Sequence, residues 1–145
     1  MELLSLVGYV LGYIVKENKV ALVFRQHTKF GNNHYGLVGG KIDAHESIKD
    51  ALVREMQEEI GITVSLENAH LVHVLSFKGQ THDCVTFVFA ITTWQGEAYN
   101  KEPQKHGHMN WYSIDQLPPT LLERHKRIIE HIQKKQLYAQ EGFSN

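Results

Sequence analysis

The stretch from Ser47 to Gly61, SIKDALVREMQEEIG, constrains this chain most, because both of its ends carry helix signals. Ser47 can cap the first turn, and Asp50 sits where the helix macrodipole favours an acid. Gly61 stands at the position just past the last turn that a left-handed residue commonly closes. On a helical wheel Leu52, Val53, Met56 and Ile60 fall within an arc of about 100°. The segment therefore predicts a helix over Ser47–Ile60 that buries one stripe against a sheet.

The flanking segments read as strands. Leu4–Val15 and Val20–Arg25 are apolar, β-branched and aromatic, and the polar break Lys16-Glu17-Asn18-Lys19 between them has hairpin length. His27–Gly36 reads as a loop, Tyr35–Val38 as a short strand and Gly39-Gly40 as punctuation. Ile62–Leu66, His70–Phe77 and Cys84–Thr92 are strands by content, the last with clear alternation. Gln95–His108 reads as a polar loop and Met109–Tyr112 as a short strand. Pro118-Pro119 stops the chain, and Thr120 is expected to cap a final helix reaching Tyr138. This order implies an α+β (mixed α/β) fold with helices packed on a mixed sheet. The 145 residues fit a single domain over 1–145.

Composition narrows the partners. Fifteen Lys plus Arg against sixteen Asp plus Glu leave a net charge of −1, so no basic excess favours a nucleic-acid backbone. Cys84 is the one cysteine, which excludes an internal disulfide and a thiolate zinc site. Met1–Val15 lacks a basic leader region and is broken by Gly8 and Gly12. No run reaches the roughly 18 apolar residues a membrane helix requires. These features predict a cytoplasmic protein with no nucleic-acid or membrane partner, as a monomer or homodimer.

The predicted helix also carries Glu55, Glu58 and Glu59 at i, i+3 and i+4. On the wheel they form one fan beside the apolar stripe. Like charges at this spacing destabilise a helix by about 0.2–0.5 kcal/mol each, and Lys49 and Arg54 cannot neutralise all three. A carboxylate cluster of this kind suits a hard divalent cation such as Mg²⁺ or Mn²⁺. The bland alternative is a solvated acidic face.

The wider pattern separates these alternatives. Gly40, five residues, Glu46, seven residues, Arg54-Glu55-Met56, any residue, Glu58-Glu59, any residue, Gly61-Ile62 resembles the Nudix box of the MutT/Nudix hydrolases at every defining position. The resemblance implies an α/β/α sandwich, with a mixed β-sheet between helices. It implies that Glu55, Glu58, Glu59 and the Gly39 carbonyl hold a divalent cation. Arg54 and Glu46 would orient those ligands, or serve the fold alone. Glu102 is the expected additional ligand or base from a late loop, with Glu97 as fallback. Arg25 and Lys41 resemble substrate-binding cations, and either could be a plain surface charge. The chain departs from relatives in reading Leu37-Val38-Gly39-Gly40 where a proline often precedes the glycines, and His45-Glu46 where Gly-Glu is usual.

The implied activity is cleavage of a nucleoside diphosphate linked to another group. The first expectation is a nucleoside triphosphate, oxidised purine forms included, yielding the monophosphate and pyrophosphate. ADP-ribose, a dinucleoside polyphosphate or a sugar nucleotide are alternatives, as is a non-catalytic nucleotide sensor. Base recognition is poorly encoded. Phe30, Tyr35, Phe77 and Trp111 could stack on a ring, and Asn33 or Asn110 could bond a base edge, although such aromatics are more often core. His106 and His108 read as solvated loop residues.

Overall fold

The structure, a computed structural model, describes residues 5–143. Strands β1 (Leu6–Lys16), β2 (Lys19–Arg25) and β3 (His34–Lys41) precede helix α1 (Ile48–Ile60). A 3₁₀ turn (Leu66–Asn68), β4 (Ala69–Lys78), β5 (Asp83–Ile91) and β6 (His106–Ser113) follow, then helix α2 (Glu123–Gln133) and β7 (Tyr138–Glu141). One mixed sheet runs in the order β6-β2-β3-β1-β5-β4-β7. β1 lies antiparallel to β3 and parallel to β5.

Both faces of the sheet are covered, and adjacent residues show how. Successive side chains of a strand point to opposite faces. Val10, Val23 and Val38 join Leu52, Met56 and Ile60 of α1 in one core cluster. Their neighbours Leu11, Leu22 and Leu37 join Ile128 and Ile129 of α2 in the other. Strands buried on both faces read as continuous apolar runs, which is why β1 and β2 show little polar alternation. The expected sandwich, a mixed sheet between helices, is the observed architecture.

The hairpin turn at Glu17-Asn18 has positive φ at both residues, 52° and 60°, the conformation of a tight primed turn. Yet β1 and β2 pair directly only beside it, at Val15↔Val20 and Lys16↔Lys19. Beyond that point they splay and admit β3 between them. β3 is longer than Tyr35–Val38 and carries Gly39-Gly40 inside it. A side chain at Gly39 would run into the carbonyl of Val10 on the paired strand, so the close approach of β1 and β3 requires glycine there.

Three expected elements are corrected. Ile62–Leu66 is no strand. Ile62 and Val64 are buried in the core, but only Thr63 finds a partner, the loop residue Gln95. The final helix starts at Glu123 because the preceding backbone is already engaged with β3. Tyr35 N–H donates to Thr120 O at 3.0 Å and Leu122 N–H to Tyr35 O at 2.8 Å. That helix stops at Gln133, and Tyr138 belongs to β7, which lies parallel to β4. β6 begins at His106, opposite Arg25, three residues ahead of the expected strand. The expected start of the first strand, Leu4, lies outside the described residues. No described helix is long and apolar enough to cross a membrane.

Candidate active site

Helix α1 is placed by its ends and its buried stripe. Ser47 is the N-cap and its side chain accepts from Asp50 N–H, while Gly61 closes the C-terminus at φ 70°. Ala51, Leu52, Met56 and Ile60 are fully buried. The acidic fan borders this stripe, so its three members meet different surroundings. Glu55 and Glu59 are 8% and 7% exposed, whereas the Glu58 side chain is 52% exposed.

The floor beneath the buried pair is β3. A side chain at Gly40 would stand 2.5 Å from Glu55 Oε1, so glycine lets the carboxylate lie against the strand. Gly39 N–H donates to Glu59 Oε2 at 3.3 Å. The double glycine is the sequence signal for this floor, although the reading of Gly39 as a carbonyl ligand overlooked the space at Gly40.

Arg54 gathers the acids around it. Its Nε and Nη2 fork onto Glu46 at 2.8 and 3.0 Å. Its Nη1 reaches Glu55 Oε1 at 3.0 Å and Glu58 Oε2 at 3.2 Å, and Nη2 also donates to the Lys41 carbonyl at 3.0 Å. Bidentate charge-assisted contacts of this kind are stronger than neutral hydrogen bonds and fix orientation. Arg54 holds the Glu46 carboxyl down at about 2, with help from the Asp43 N–H.

Among the described residues, Glu59 has no such cation. Burial pushes its carboxyl well above the usual range, and the negative charges of Glu55 and Glu102 push it further; only the Gly39 N–H acts against them. Burial also raises Glu55, with Arg54 opposing. Two buried carboxyls side by side, one without a positive partner, are costly unless a proton or a cation neutralises them.

Glu102, on the loop before β6, lies near enough for its charge to bear on Glu59. Its side chain is 16% exposed and lies 3.4 Å from Lys105 Nζ. The loop is tied to α1 where Tyr99 N–H donates to Ile60 O at 3.1 Å and Lys101 N–H to Glu59 O at 3.0 Å. Glu97 is exposed and makes no described hydrogen bond or salt bridge.

All donors around Glu59 are oxygens, which fits a hard divalent cation and not a soft one. Glu55, Glu59 and Glu102 are the side chains that could hold it, with Glu58 beside them on Arg54 and the Gly39 backbone on the floor. Among the described residues, no three acidic, histidine or cysteine side chains already converge as a coordination sphere.

The other expected residues lie apart. Arg25 sits at an irregularity in β2 and its Nε donates to Phe30 O at 3.2 Å. The Lys41 side chain, at the end of β3, is exposed. Trp111 stacks on Trp94 and Phe77 on Tyr9, while Tyr35 packs with Phe24, His108 and Tyr112. Phe30 is 79% exposed. Asn33 donates its N–H to Arg25 O, and the Asn110 side chain accepts from Trp111 N–H.

His106 corrects the solvated reading. It is 3% exposed, because the strand begins at this residue and turns the ring inward. Burial first, then Arg25 and Lys105, lower its pKa to about 4. No local sequence signal marks it, since its burial depends on pairing with β2. His108 is exposed as expected, though stacked on Phe24.

The NUDIX domain family matches residues 8–132. An 8-oxo-dGTP diphosphatase of Haemophilus influenzae is 39% identical over 83 residues, covering 56% of this chain and 60% of that one, so the match spans less than two thirds of the relative. An ADP-ribose pyrophosphatase of Methanocaldococcus jannaschii is 24% identical over 124 residues, covering 86% and 72%. The crystal structure of a MutT NUDIX hydrolase from Burkholderia pseudomallei superposes with a TM-score of 0.79 at 26% identity, over 87% of this chain and 97% of that one.

Proposed function

Since the chain belongs to the NUDIX domain family, we propose that it is a divalent-cation-dependent pyrophosphohydrolase of nucleoside triphosphates, oxidised purine forms among them. It converts them to the monophosphate and pyrophosphate. The observation that carries this reading is Glu59, a carboxyl 7% exposed, beside Glu55, with no cationic side chain among the described residues to neutralise it. The triphosphate preference draws on the relative named as an 8-oxo-dGTP diphosphatase.

In this reading Glu55, Glu59, Glu102 and the Gly39 carbonyl, with Glu58, would hold Mg²⁺ or Mn²⁺. Such a cation neutralises phosphate charge and lowers the pKa of water beside it. The chain's own groups supply the rest. Arg54 keeps Glu55 and Glu58 oriented, and Glu46 keeps Arg54 in place through the two-point fork. Among the three helix acids Glu58 alone reaches solvent, so it is placed to take a proton from an attacking water. One water is consumed and one P–O bond of the α–β anhydride breaks. Arg25 and Lys41 are the cations offered to the phosphate chain.

The test is a panel of dGTP, 8-oxo-dGTP and ADP-ribose with purified protein and Mg²⁺. Triphosphates should yield monophosphate and pyrophosphate, and EDTA should abolish the reaction. Turnover of ADP-ribose in preference to both triphosphates would reject the substrate assignment. Turnover unaffected by EDTA would reject the cation.

A further inference from the structure

The loop that carries Glu102 works against a repulsion. Glu102 lies close enough to Glu59 for their negative charges to oppose each other. With nothing holding the loop, it would relax by swinging Glu102 toward water. The entering limb is fixed by backbone bonds to α1, from Tyr99 and Lys101. The leaving limb is fixed to the end of β2, where Gln26 N–H donates to Lys105 O at 2.8 Å. Between the limbs, Lys105 and His106 N–H both donate to the Glu102 carbonyl, at 2.9 and 3.0 Å. These bonds fold the turn but do not join it to the entering limb.

Asn100 makes that join. Its side-chain amide donates to the His106 carbonyl at 2.8 Å. We propose that Asn100 is a positioning residue, whose amide clasps the two limbs and keeps the Glu102 carboxylate on the Glu59 side of its loop. The inference rests on the reading of Glu102 as part of the cation site.

A second observation supports a functional origin for the clasp. Asn100 Oδ1 and His106 Nδ1 are both buried and both lack a hydrogen-bond partner among the described residues. Buried polar atoms without partners are destabilising, and native structures keep few of them. Two unpartnered buried polar atoms cost stability, so stability alone does not account for the amide at this position. Here the amide spans the turn, from Asn100 to the His106 carbonyl.

The experiment measures Mn²⁺ binding without nucleotide, from the paramagnetic resonance signal of free Mn²⁺. The proteins are the parent chain, Asn100→Ala, Asn100→Ser, Glu102→Gln and the Asn100→Ala/Glu102→Gln double variant. Losing a group that orients a metal ligand weakens binding about 10–100-fold. Asn100→Ala should weaken Mn²⁺ about tenfold, and should add nothing once Glu102 is already Gln. Mg²⁺-supported turnover should show a lower kcat with KM for nucleotide unchanged. Asn100→Ser, of smaller volume change, answers the question if the alanine variant does not fold. Parent-like Mn²⁺ binding in the folded Asn100 variants, with Glu102→Gln weakened, overturns the clasp and leaves the Glu102 reading intact. Additive losses in the double variant overturn it as well. Parent-like binding and turnover in Glu102→Gln removes the reading of Glu102 itself, and the clasp falls with it.

Discussion

The carboxylate of Glu55 lies on Gly40 so closely that a methyl group there would stand 2.5 Å from Oε1 and 2.9 Å from Oε2. Glu55 cannot easily move aside, because Arg54 Nη1 holds the same oxygen at 3.0 Å. Gly40→Ala should therefore displace the carboxylate from Arg54 and disorganise the acid pair. We expect kcat to fall at least about tenfold, with a stability loss of about 1–3 kcal/mol from overpacking. Turnover together with thermal denaturation checks this. Parent-like kcat would show that Glu55 tolerates displacement.

Arg54→Lys keeps the charge and loses the fork. An ammonium cannot match the planar two-point contact to Glu46 while also reaching Glu55 and Glu58. Activity should drop about 10–100-fold, as for other groups that orient metal ligands. Glu46→Gln should produce a smaller loss in the same direction. A lysine variant as active as the parent would mean that charge alone suffices at this position.

Glu58→Gln should lower kcat at least about 10²-fold, as expected for a lost ligand or proton acceptor. Its side chain is half-exposed, so the melting temperature should stay close to that of the parent. Unchanged turnover in the folded variant would remove Glu58 from the reaction.

Acid should destabilise the protein through histidines that the fold keeps neutral. His125 Nδ1 accepts the Leu37 N–H at 2.9 Å. Burial, with Arg25 and Arg124 nearby, holds its pKa down at about 3. The unfolded chain binds this proton near pH 6.5, so the unfolded state carries more protons below that pH. The contribution is complete above pH 6.5 and is lost as pH falls toward 3, at no more than about 1.4 kcal/mol per pH unit. His106, lowered to about 4, acts in the same direction. The raised carboxyls of Glu55 and Glu59 act oppositely, favouring the folded state at low pH. His125→Asn keeps a side-chain acceptor and removes the titration. Its melting temperature should fall less than the parent's between pH 7 and pH 5. Identical slopes would exclude His125 as a source of acid sensitivity.

Much of the site was legible before any coordinates. Ser47 and Gly61 bound α1 where local capping rules put them. The apolar, β-branched runs around Val10-Leu11 and Leu22-Val23 mark strands. The acidic residues of the helix are spaced so that they share one side of it. Each of these signals is local, written within about two turns of helix or one strand.

The missed features depend on partners distant in the chain. Residues 120–122 form no helix because β3 takes up their backbone hydrogen bonds, and no residue among them announces that competition. Tyr138–Glu141 becomes a strand because β4 offers it an edge. His106 is buried because β6 starts opposite Arg25.

The residue pattern by itself determined the layers of this protein, the limits of its principal helix and the set of acids that helix presents. Tertiary structure alone decided that Glu55 and Glu59 are buried while Glu58 is not, that Glu102 comes within electrostatic reach of them, and that Asn100 bridges its loop. The reason is physical: helical period and capping are properties of neighbouring residues, whereas burial and charge pairing depend on which distant surface closes over them.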